Sequence, residues 1–415
     1  MQPEHILIIY FCLFALALSA DLGLELLNIS HVNRNRDNLP AVLEGSIDPD
    51  TFKRSTDYTL DKARVGVLAT IYDAVWLLLV VCNGWFGKLD SLLAGFVSGT
   101  YWRGYFYILI LSFLVTLVNI PFDLYSTFRV EEKYGFNRMT LRLWLSDFAK
   151  GQLLSAALLL PLLFGLFWFM DKSGSSWWLY AFGFVALYQI LLMYLYPVVI
   201  MPVFNRFTPL EDGELKEQIE EVAERADFKT SGVFLMDGSR RSAHGNAFFT
   251  GLGSNKRIVL FDTLIKQLGT KEILAVLAHE IGHEKMHHIK KGMLISLGGM
   301  LAGFFVLAQL LNYQPLYQAF GFEGPAYHAA LVIFALIFSP VMFFIGPFFN
   351  LISRKFEYQA DSFAVKLTGD YRPLADALIE LSKKNLSNLN PHPLYSFVHY
   401  SHPTLVERIE AMRAG

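Results

Sequence analysis

His279, Glu280 and His283 stand in H-E-x-x-H spacing within LAVLAHEIGHEKMHHIKKG, residues 274–292. Two imidazoles four residues apart share one helical face and can bind a single metal ion. The carboxylate between them falls beside the metal, where it can take a proton from a metal-bound water. The stretch reads as a helix. Thr270 is the expected N-cap, Glu272 favours the first turn, and Ile273, Leu277 and Ile281 form an apolar stripe. A surface helix that merely carries two histidines is the alternative reading of these residues alone.

The motif lacks a third protein ligand, for which a Glu on a separate helix is a usual donor. NLISRKFEYQADSFAVKL, residues 350–367, reads as a helix in which Glu357 and Asp361 are four apart on one face. Glu357 is the expected ligand, and Asp361 is placed to orient a ligating histidine from behind. A solvated acidic pair would explain the same residues if the H-E-x-x-H were absent. His287 and His288 read as interfacial or structural, since neither is needed to complete the site.

These helices sit among long apolar runs. Hydrophobic residues make up 53% of the 415 and charged residues 17%, which indicates a membrane protein with a polar portion. A formal net charge of -2 gives no reason to expect a nucleic-acid partner. The only cysteines, Cys12 and Cys82, lie in apolar runs, which argues against a disulfide framework or a cysteine metal site. MQPEH lacks the basic start of a secretory signal, so the first apolar run is expected to be retained as a span.

Seven runs are long enough to cross a bilayer, near 6–29, 65–86, 103–128, 151–170, 177–203, 292–313 and 328–353. Pro197 and Pro202 predict a kink or an exit at the end of the fifth, and Asp73 in the second hints at a wet interior. The domain plan is then spans 1–5 over 1–205, a polar metalloprotease insertion at 206–290, spans 6–7 over 291–353, and a helical segment at 354–415 that completes the metal site. Eleven Lys and Arg in the loops 30–64 and 129–150, against Lys88, Arg103 and Lys172 on the other side, put those loops in the cytoplasm. The catalytic insertion and the C-terminus share that side, and the N-terminus is outside or lumenal. Glu357 follows its apolar run by about four residues (~6 Å), and His283 precedes the next by about nine (~14 Å). The metal is therefore expected at the cytoplasmic interface, a depth that suits a membrane-associated or lipid-bearing substrate.

Within the insertion, LEDGELKEQIEEVAERADF reads as an amphipathic helix with Ile219, Val222 and Ala223 on one face. GVFLMD and KRIVLFD read as short strands, and SRRSAHGNAFFTGLGS between them has hairpin-like turn chemistry at both ends. An exposed strand edge there can bind an extended peptide as a further strand.

Six segments in order resemble the integral-membrane zinc CAAX prenyl proteases (type I) over nearly the whole chain. They are EEKYGFNRMT (131–140), IMPVFNRFTPLEDGEL (200–215), SAHGNAFFTGLGSNKRIVLFDTL (242–264), HEIGH (279–283), EYQAD (357–361) and SHPTLVERI (401–409). The resemblance implies seven transmembrane helices enclosing a water-filled chamber, together with a small α+β zinc-metalloprotease domain. It implies one Zn2+ per chain on His279, His283 and Glu357, with Glu280 as general base and Asp361 supporting the ligands. It places His402 and Arg408 near the site as oxyanion stabilisers and makes Asn246 the residue that helps hold the substrate strand. The partners it implies are the lipid bilayer and a peptide or protein substrate, prenylated or otherwise membrane-proximal. The membrane it implies is of the ER type or a bacterial inner membrane. The competing functions are a membrane quality-control zinc protease, an intramembrane-cleaving protease, and a non-catalytic lipid-handling or transport protein.

Overall fold

The computed structural model describes residues 1–250 and 256–414. Among the described residues, seven helices are long and apolar enough to cross a membrane: spans 1–7 at Pro3–Arg34, Pro49–Cys82, Thr100–Tyr134, Leu141–Lys172, Gly174–Phe204, His288–Leu310 and Tyr327–Thr368. Each packs on the next and span 7 returns to span 1, so the seven close into a ring. Cavities of about 900 and 580 Å³ open between the spans. The larger lies among the ends of spans 3 to 7, and the smaller lies between spans 1 and 2 and the residues around 385–400.

The helices run well past the apolar stretches. Span 2 begins at Pro49 rather than near 65, because Asp48 caps it by accepting the Thr51 amide at 2.9 Å and Pro49 occupies the first turn. Much of the expected loop 30–64 is therefore helix. Span 5 bends at Pro197 through a π-helical turn, Tyr196–Ile200, before the chain leaves as an extended strand. Span 7 continues unbroken for 42 residues through Pro340 and Pro347, ~63 Å of helix, and so carries its C-terminal third beyond a ~30 Å hydrocarbon core.

The polar insertion folds into a four-stranded sheet of order β1-β2-β4-β3: β1 Phe207–Pro209, β2 Val233–Met236, β3 Ala247–Thr250 and β4 Arg257–Phe261. The two expected strands, β2 and β4, pair parallel. β1, which ends in Pro209, and β3, set within a turn-rich stretch, add antiparallel on either side. β3 comes from the connection itself, and the second of the expected turns, around GLGS, lies outside the described residues. β3 is an edge of this sheet.

Helices α1 (Glu214–Arg225), α2 (Asp262–Gln267) and α3 (Thr270–Lys285) cover the sheet. Ile219, Val222 and Ala223 of α1 and Ile273, Leu277 and Ile281 of α3 are all buried in one core with Ile258 and Leu260 of β4. The same core takes in α4 (Arg372–Lys384), α6 (Leu405–Ala414) and Leu43, Ile47 and Phe52 from the segment around the start of span 2. α5 (Pro393–His399) packs instead on spans 1 and 7. Thr270 is the first helical residue of α3 rather than its cap. Gly269 holds the cap position, and its carbonyl accepts the Ile273 amide.

Candidate metal centre

α3 and span 7 pack side by side, which is how the two halves of the predicted ligand set meet. The approach is close because residue 282 is glycine. A Cβ there would lie 3.1 Å from both Cα and O of Ala360 and 3.2 Å from Cβ of Phe363. Two helices each bearing ligands are thus held backbone to backbone at the position next to His283 and next to Asp361.

One donor atom from each of His279, His283 and Glu357 falls within 4.8 Å of the others. Nε2 of His283 lies 3.2 Å from Nε2 of His279 and 3.2 Å from Oε1 of Glu357, and Nε2 of His279 lies 3.5 Å from Oε2. Glu357 and Asp361 are 4% and 2% exposed. Two imidazole nitrogens and a carboxylate oxygen turned toward one point are donors of the kind that would hold a divalent metal such as zinc.

The partner behind His279 decides which of its nitrogens is left free for a metal. Nδ1 of His279 donates to Oδ1 of Asp361 at 2.8 Å, leaving Nε2 as the lone-pair donor. Asp361 is itself clamped by Arg408, with Nε to Oδ2 at 2.9 Å and Nη2 to Oδ1 at 2.6 Å. Nη1 of Arg408 remains 3.7 Å from Oε2 of Glu357. The fork offsets the burial of two carboxylates with a planar, permanently charged partner.

Glu280 is on the same wall. Its cavity of about 350 Å³ is also lined by Asn246, His402, Arg408, Leu374 and Leu378. Burial pushes the Glu280 carboxyl above the usual carboxylate range, the direction expected of a proton acceptor poised for use near neutrality. Burial opposes protonation of His279, but its contacts with Asp361 and Glu357 outweigh that and raise the imidazole above its ordinary value.

His402 comes in from the segment before α6. Its Nε2 is 3.3 Å from Oε1 of Glu357 and its Nδ1 is 2.9 Å from Oγ of Ser401. Asn246, just before β3, is exposed, and its Oδ1 accepts the Ala247 amide at 2.8 Å. All eight residues singled out in the sequence gather around one cavity or directly behind it. Two others take part. Gly282 sets the helix spacing, and His288 lies 3.1 Å from Nδ1 of His283. The glycine's signal, a small residue facing another helix, is visible only once the partner helix is known.

The arrangement has relatives. Residues 28–206 match the family described as CAAX prenyl protease N-terminal, five membrane helices, and residues 209–415 match peptidase family M48. The CAAX prenyl protease 1 of Saccharomyces cerevisiae is 39% identical over 401 residues, covering 90% of this chain and 88% of that one. The human CAAX prenyl protease 1 homolog is 34% identical over 422 residues, covering 91% and 89%. The crystal structure of S. mikatae Ste24p superimposes with a TM-score of 0.93 at 37% identity, covering 98% of each chain.

Proposed function

This chain belongs to peptidase family M48 and is a membrane metallopeptidase of the CAAX prenyl protease kind, and on that premise we propose that it hydrolyses a peptide bond near the C-terminus of prenylated proteins. The observation that carries the reading is the convergence of His279, His283 and Glu357 on one point, with Glu280 in the same cavity. His279, His283 and Glu357 would hold one zinc ion, whose chemistry is Lewis acidity toward the scissile carbonyl and acidification of a water.

The chain's own residues do the rest. Glu280 takes the water proton and later delivers it to the leaving amine. His402 and Nη1 of Arg408, the guanidinium nitrogen not engaged with Asp361, face the charge that develops on the carbonyl oxygen. Asn246 and the edge of β3 hold the substrate as an added strand. Asp361 keeps His279 in one tautomer, and Arg408 keeps Asp361 ionised and in place. A metal site just past the apolar part of span 7 suits a substrate whose prenylated cysteine lies in the bilayer.

The orientation that fits the charge bias places the N-terminus in the lumen, and the metal site, the 206–290 insertion and the C-terminus on the cytoplasmic side of an ER-type membrane.

The test is cleavage of a farnesylated CAAX peptide by purified wild-type and Glu280→Gln protein in detergent, with zinc measured on both. Cleavage by wild type alone, with near-stoichiometric zinc in each, is the expected result. Zinc in both without cleavage would refute the prenyl-substrate assignment and leave the metal site standing.

A further inference from the structure

His288 makes contacts that the scheme above does not use. Its Nδ1 lies 3.1 Å from Nδ1 of His283, and its Nε2 lies 2.9 Å from Oε1 of Gln359. It is 4% exposed, and its ring is stacked on Phe356 with centroids 4.3 Å apart and planes 8° from parallel. The imidazole is held by a stack on its face and by a polar contact at each nitrogen.

Its placement comes from one backbone feature. α3 ends at Lys285 and span 6 begins at His288, with His287 between them in the left-handed region at φ 58°. An unbroken helix would set residue 287, four after His283, on the ligand face. The left-handed step turns the chain so that the next residue, His288, meets His283 instead.

The proton arrangement then follows. Nε2 of His283 is turned toward Nε2 of His279 and Oε1 of Glu357, where a metal needs its lone pair. The proton of His283 is therefore on Nδ1, and Nδ1 of His288 must accept it. That leaves His288 neutral with its own proton on Nε2, donated to Oε1 of Gln359. Running the donors in reverse would put a proton on Nε2 of His283, where the ligands meet.

Resting on the metal-site reading above, we propose that His288 is a positioning residue that fixes the tautomer and ring plane of His283, as Asp361 does for His279. The two metal imidazoles are held by unlike partners. One is backed by a carboxylate clamped by Arg408 and the other by a neutral imidazole clamped by Gln359. A carboxylate partner raises the basicity of its ligand more than a neutral one does, so His279 is the stronger ligand of the pair.

The experiment is zinc competition against a chelator on the full-length protein in detergent, with the visible spectrum of the Co2+-loaded protein as a second readout. His288→Phe keeps the stack on Phe356 and removes the acceptor, whereas His288→Asn returns an acceptor oxygen near the Nδ1 position. The Phe variant is expected to bind zinc about 10–100-fold more weakly with a changed Co2+ spectrum, and the Asn variant to stay within about threefold of wild type. A Phe variant with wild-type affinity and spectrum, or an Asn variant as weak as Phe, would overturn the proposal. Should His288→Phe fail to fold, Gln359→Leu carries the test, because losing the clamp must also weaken zinc and unchanged affinity overturns the role. Wild-type protein that takes up no zinc would instead sink the metal-site reading itself, a result read before any variant is made.

Discussion

Gly282→Ala adds one methyl group where α3 meets span 7, and its effect can be worked from the geometry. The new Cβ would sit 3.1 Å from Ala360 Cα and O and 3.2 Å from Phe363 Cβ, so the helices must separate by a few tenths of an ångström. Overpacking of this kind costs about 1–3 kcal/mol, and Ala returns ~1 kcal/mol of helix propensity over Gly, a net loss of about 0–2 kcal/mol. The site is far less forgiving. His283 adjoins Gly282 and Asp361 adjoins Ala360, and metal–ligand distances tolerate only about 0.2 Å. We expect Gly282→Ala to fold, to lose no more than ~2 kcal/mol, and yet to bind zinc and cleave substrate about tenfold or more worse. The assay pairs chelator competition with peptide cleavage, and Gly151→Ala serves as control because a Cβ there meets open space. Wild-type zinc affinity and turnover in Gly282→Ala, or an equal loss in Gly151→Ala, would refute the idea that helix spacing sets the site.

Other substitutions separate the roles within the cluster. Glu280→Gln is expected to retain zinc while losing about 10²–10⁴-fold in turnover, read by metal analysis beside cleavage kinetics. Arg408→Ala leaves Asp361 and Glu357 buried without their cation and is expected to destabilise the fold by about 3–5 kcal/mol, measured by denaturation in detergent. Arg408→Lys keeps the charge but not the fork, so it should recover only part of that loss. Zinc retention depends on pH in a defined direction. The raised affinity of His279 for a proton keeps the competing proton bound to higher pH, so binding is complete well above that point and is lost as pH falls through it. Competition titrations at stepped pH read this directly, and binding that strengthened on acidification would contradict it. Removing the metal with a chelator should abolish cleavage, and stoichiometric zinc should restore it.

How far the sequence led depended on the length over which each signal repeats. Seven apolar runs of about twenty residues identify spans with little ambiguity, and the four-residue spacings of His279 with His283 and of Glu357 with Asp361 place each pair on one face. β1 ends in Pro209 and β3 lies inside the turn-rich SRRSAHGNAFFTGLGS, so neither stands out as β2 and β4 do within GVFLMD and KRIVLFD. The helix starts moved for local reasons, with Asp48 and Pro49 extending span 2 and Gly269 displacing Thr270 as cap. His287 and His288 read alike as interfacial or structural from sequence, because neither is needed to complete the site; what separates them is the left-handed backbone at His287, which turns His288 toward His283. Gly282 and the clamp of Arg408 on Asp361 are contacts between segments distant in sequence, which residue type alone does not announce.

The position of Glu357 on the last span also sets a schedule for biosynthesis. His279 and His283 leave the ribosome roughly seventy residues before Glu357, and Arg408 comes only at the very end of the chain. At translation rates of about 5–20 residues per second, the H-E-x-x-H helix exists for several seconds with two ligands and no third. The ring cannot close until span 7 docks on span 1, so helix insertion and metal-site assembly finish together. On that reading a chain that stops before span 7 lacks the third ligand and is expected to show no peptidase activity.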